Sequence, residues 1–151
     1  MNLILEKTDQ VLWFTNMRDV FDAANIAAED YDWYVSDIET NWTPSGFSTI
    51  DQWFSGEELA SFLDKHEVQF IWAVFSAVPK GFRSYSPTAP YADGNPTYWS
   101  GEELAPQLEG ALFEIACWDS SATILINLPD GAACSFMARY TDTRALADAR
   151  T

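Results

Sequence analysis

The sequence predicts a single α+β domain: a mostly antiparallel sheet of five to six strands packed against two to three helices on one face. Three observations lead there. Runs such as YDWYVSDIE (31–39) and VQFIWAVFSAV (68–78) are rich in aromatic and β-branched residues, the composition of strands. The hexapeptide Ser-Gly-Glu-Glu-Leu-Ala occurs at 55–60 and again 45 residues later at 100–105, and each copy opens with the spacing of a helix capping box. Toward the C-terminus, apolar runs are separated by the turn signals Asp119-Ser-Ser121 and Pro129-Asp-Gly131, as in an antiparallel meander. With 151 residues, 48% of them apolar, the chain is long enough to bury a core as one domain spanning 1–151.

In chain order, residues 2–6 read as a first or edge strand. Residues 8–24 have helical spacing, with Phe14, Met17, Val20, Phe21 and Ala24 on one stripe and either Thr8 or Thr15 as the cap. Residues 31–39 form a strand, and residues 41–50, with Pro44 and Gly46, a loop. Ser55 and Glu58 start a helix that runs to about Lys65 and feeds the buried strand 68–78. Ser100 and Glu103 start a second helix, cut to one turn or kinked by Pro106, which feeds the strand 112–118. At the offset of 45, Val68, Phe70 and Trp72 correspond to Phe113, Ile115 and Cys117, so 53–76 and 98–121 read as a degenerate helix–strand repeat. The repeated SGEEL is a helix-start signal, with Glu57, Glu58, Glu102 and Glu103 as further candidates for contact with a partner.

Runs 122–128 and 132–139 complete a three-strand meander with 112–118. Cys117 and Cys134 would then lie on its outer strands, about 9–10 Å apart, too far for a disulfide. Both are expected to be reduced, and their spacing matches neither a metal motif nor a redox pair. The tail 141–151 is polar and expected to fray. The stretch PKGFRSYSPTAPYADGNPTYW (79–99) reads as a long loop, either packed down by its own aromatics or functional.

Charge narrows the function. The net charge is −15. Eleven acids and no base lie between Asp19 and Asp64, and seven more acids with no base lie between Ser84 and Ala138. Such a surface is either plain solvation or shaped for a basic partner, and it opposes direct binding to nucleic acid or an anionic membrane. The opening MNLILEKTD lacks a basic start, and no apolar run approaches the roughly 18 residues that span a membrane, so a cytoplasmic location is expected. With one histidine, His66, and no phosphate-binding glycine loop or zinc or calcium spacing, no catalytic residue, cofactor or metal is expected.

The stretch EDYDWYVSDIETNW (29–42) sets acids among large aromatics, a composition suited to capturing a basic protein surface. Asp30, Asp32, Trp33, Asp37, Glu39 and Trp42 are the expected partner-binding residues. The competing reading keeps Trp33, Tyr34, Val35 and Ile38 in the core and exposes only the acids.

The order of a Tyr-Asp-Trp-Tyr strand, an SGEEL helix, an apolar strand ending in VPKG and a sheet meander resembles small bacterial proteins of unassigned function. In size, acidity and aromatic content the chain is also similar to the immunity proteins that neutralise bacterial toxins. The resemblance covers most of the chain as a pattern and carries over no site residue. It implies a cytoplasmic protein that binds a basic toxin domain and blocks its active site or an adjacent surface. Two other readings remain open: a DNA mimic that occupies a nucleic-acid-binding protein, and a small-ligand module built on the aromatic loop 82–99, with Trp99 as its stacking platform.

Overall fold

The computed structural model describes residues 1–85 and 87–149. Among these, seven strands form one antiparallel sheet: β1 (Leu3–Glu6), β2 (Tyr31–Thr40), β3 (Gln52–Ser55), β4 (Phe70–Pro79), β5 (Phe113–Trp118), β6 (Ala122–Ile126) and β7 (Arg144–Ala145), in the order β3-β2-β4-β5-β6-β1-β7. Three helices, α1 (Met17–Ala24), α2 (Gly56–Lys65) and α3 (Asp130–Arg139), accompany it. The α+β architecture is the expected one, with one strand more than expected.

Alternation along β2 sorts the two faces. Tyr31, Trp33 and Val35 point toward the helices and join the main core with Phe21, Leu59, Phe75, Phe113 and Phe136. Asp32, Tyr34 and Ser36 point the other way. There the sheet is covered by the 80–112 connection and the C-terminal residues, through Ala92, Tyr98, Leu108, Leu146 and Ala149. Both faces are therefore buried, one under helices and one under loops.

Several expectations need correction. Helix α1 starts at neither threonine. Thr15 has φ 62°, outside the helical range, and the Asn16 side chain caps the helix by accepting from the Arg18 N–H. Phe14 therefore lies outside the helix, although it still packs on the core. The third meander strand is the helix α3. Ala133, Phe136 and Tyr140 are buried at spacings of three and four, with Ala132 and Met137 packed beside them, which is a helical stripe. Cys134 is thus exposed on a helix while Cys117 is buried in β5, and both are free. Through residue 149 the tail is ordered, with Leu146 and Ala149 buried; the expectation for residues 150–151 lies outside the described residues.

The two copies of SGEELA differ in fold. At Ser55 the backbone is extended, the side chain accepts from the Glu58 N–H at 3.0 Å, and Glu58 accepts from the Ser55 N–H at 2.9 Å, a complete capping box. Gly56 is required by contact: a Cβ there would sit 2.3 Å from the Ala28 carbonyl oxygen and 2.5 Å from that of Tyr31. At Ser100 the backbone is already helical (φ −73°, ψ −21°), because Ser100 closes the 3-10 turn Pro96–Trp99. Gly101 follows at φ 81° and turns the chain away. Pro106 disfavours a helical conformation at Ala105. The second copy is a turn, not a helix.

Candidate functional site

The six residues expected to bind a partner do not form one patch. Trp33 is fully buried; its ring stacks on Phe21 at 5.0 Å, and its indole N–H donates to the Ala28 carbonyl at 2.9 Å. Asp32 faces the loop side, where it accepts from Arg83 Nε at 3.1 Å and from the Gly81 N–H at 3.2 Å. Burial pushes its carboxyl up, but the Arg83 guanidinium and the Gly81 amide outweigh this and hold it below the usual aspartate range. Asp37 sits at φ 55° in a bulge of β2, accepts from the N–H groups of Ala92 and Asp93 at 2.8 Å each, and so ties the 90–93 turn to the sheet. Asp30, Glu39 and Trp42 are exposed. Asp30 precedes β2 and Trp42 follows it, so the ten-residue strand holds them about 30 Å apart.

The fold instead gathers other acids from the same base-free stretch. Between α1 and α2 lies a bowl of about 540 Å³ lined by Phe21, Ile26, Ala60 and Leu63, with Asp19, Asp22, Glu29 and Asp64 on its exposed rim. Helix α1 supplies Asp19 and Asp22, one turn apart on one face. Asp64 comes from the end of α2, and Glu29 from the 3-10 turn Ala28–Asp30. Arg18 also lines the bowl; its Nε donates to the Leu63 carbonyl at 2.9 Å and its Nη2 donates to that of Asp64 at 3.2 Å. The one cation lining the bowl is therefore engaged by the C-terminal carbonyls of α2. Trp33 supports the bowl from beneath, through Phe21 and Ala28. Among the described residues, no three carboxylate, imidazole or thiol groups converge closely enough to hold a metal ion.

Sequence reasoning placed the acids of 29–42 at the surface but missed the bowl, whose rim is drawn from positions as far apart as 19 and 64. The available signals were Asp19 and Asp22 at helical spacing and the absence of any base from 19 to 64. Trp42 fares better. It is 47% exposed, stacks edge-on against His66 at 6.4 Å and donates to the Glu67 carbonyl at 3.2 Å. His66 also packs on Phe62 at 5.2 Å, which gives the lone histidine a packing role at the end of α2, just beyond Asp64.

On the loop face, Glu114 is the fully buried carboxylate. It accepts from Ser76 Oγ at 2.6 Å, from the Gln107 N–H at 2.6 Å and from the Leu108 N–H at 3.0 Å. Burial pushes its carboxyl above the usual glutamate range, against the pull of these three donors. With its oxygens occupied, it anchors the 104–112 segment across the sheet. The aromatics of the 79–99 loop divide: Tyr98 is buried, Trp99 packs on Trp118 at 5.1 Å, and Phe82, Tyr85 and Tyr91 are exposed. Among the described residues, no helix is long and apolar enough to cross a membrane. No family model, curated protein or solved structure matches this chain.

Proposed function

We propose that this chain is a non-enzymatic acidic binding protein that captures one basic protein, acting in the manner of an immunity protein that neutralises a toxin domain in the cytoplasm. The observation that carries this reading is the bowl: four exposed carboxylates around an apolar floor, with the single lining cation engaged by backbone carbonyls. Charge around such a site speeds encounter with a cationic surface and sets its register, while the apolar floor supplies affinity. Trp42, exposed where it packs on His66 just past the end of α2, is a further aromatic open to a partner.

The test is affinity capture from lysate of the source organism with elution in salt steps and identification by mass spectrometry. The reading expects one basic toxin-like protein, released only at high salt. Capture of many DNA-binding proteins would replace it with the DNA mimic, and a partner whose binding ignores salt would sink its electrostatic basis.

A further inference from the structure

We propose that the bowl between α1 and α2 is an arginine receptor, taking a guanidinium side chain that projects from the basic partner. The inference rests on the binding reading above and adds which side chain is read and where. Arg18, tied to the end of α2, and the 26–29 segment both line the bowl, and its apolar floor of four side chains matches one long side chain.

Three features select arginine. The floor of Phe21, Ile26, Ala60 and Leu63 is apolar, which suits a methylene stem and a weakly hydrated planar cation better than a strongly hydrated ammonium. The carboxylates come from three separate segments and do not converge as metal ligands do, so they suit a delocalised cation with several donors. Arg18 already places a guanidinium at the edge of the bowl, its Nε and Nη2 donating to the Leu63 and Asp64 carbonyls.

The experiment follows backbone amide shifts of the full chain by NMR during titration with N-acetyl-arginine methylamide, its lysine counterpart and its neutral citrulline counterpart. The expected result is saturable shifts confined to residues 18–29 and 60–64, strongest with arginine and absent with citrulline. Asp22→Asn with Glu29→Gln should weaken the arginine response about two- to fivefold per carboxylate, while amides outside the bowl keep their positions and report an intact fold. Unmoved bowl amides, or an equal response to citrulline, would overturn the receptor. If a basic protein is still captured in that case, the broader binding role stands. If arginine saturates the bowl and no basic protein is captured, the receptor stands and the immunity role falls.

Discussion

Residues 19–64 and residues 84–138 are both acidic and free of base, yet the fold treats Glu114 of the second stretch unlike the rim acids of the first. From the first stretch, Asp19, Asp22, Glu29 and Asp64 meet on an open bowl on the helix side of the sheet. From the second, Glu114 turns inward and is consumed in holding a loop against the opposite side. The duplicated SGEELA repeats the contrast at short range. One copy is a capped helix forming a wall of the bowl through Ala60, and the other is a turn on the loop side whose Leu104 packs on the second core. The same six residues take two structures because their neighbours differ. A close backbone approach waits for Gly56, whereas a preceding 3-10 turn and a following proline decide the fate of Gly101. Acidity in the sequence therefore does not by itself tell which carboxylates the packing leaves without internal partners.

The largest expected effect separates the two glycines. Gly56→Ala should destabilise by about 3 kcal/mol, because backbone atoms of the Ala28–Tyr31 segment would have to move. Gly101→Ala should lose only about 1–2 kcal/mol from its positive φ. Urea midpoints would read both, and equal losses would contradict the account.

Glu114→Ala is expected to destabilise by about 3 kcal/mol, since two amides and a hydroxyl lose a buried acceptor. Glu114→Gln keeps part of that bonding and sharpens the comparison through pH. Glu114 is raised in the folded state, so the fold takes up its proton more readily than the unfolded chain. Its effect is a loss of stability as pH climbs from the ordinary glutamate range through the raised value. Asp32 is lowered, so its contribution is present above the ordinary aspartate range and disappears as pH falls through the depressed value. In denaturation followed across pH, Glu114→Gln should remove the first slope and leave the second. Retention of both slopes would show that Glu114 is not the group responsible.

The serines come next. Ser55→Ala should cost about 1 kcal/mol as a lost helix cap. Ser100→Ala, which removes only the acceptor of a local bond donated by the Glu102 N–H, should stay within about 0.5 kcal/mol in the same urea assay.

Much of the sheet was legible. Strands β2, β4, β5 and β6 carry the aromatic and β-branched runs expected of them, and the first capping box is local chemistry that needs no tertiary context. Helix α3 was not read because its stripe is built from alanines and two aromatics after a turn signal that suits a hairpin equally well. Trp33 was misplaced because both faces of β2 are buried, which erases the alternation that normally tells inside from outside. The bowl escaped because its rim is assembled by packing α1 beside α2, and no window of sequence contains it. What could be read was the raw material: four of the eleven acids in 19–64, with no base among them.

The most direct test of the central claim removes equal charge from the two sides. One variant carries Asp19→Asn, Asp22→Asn, Glu29→Gln and Asp64→Asn on the bowl. The other carries Asp93→Asn, Glu102→Gln, Glu103→Gln and Glu109→Gln on the loop face, all exposed positions. Both should fold with stability within about 0.5 kcal/mol per site of the parent. In salt-stepped capture of the basic partner, the loop-face variant is predicted to retain it to the same salt concentration as the parent, and the bowl variant to release it at low salt. Equal retention by both variants, or loss from the loop-face variant alone, would contradict the account.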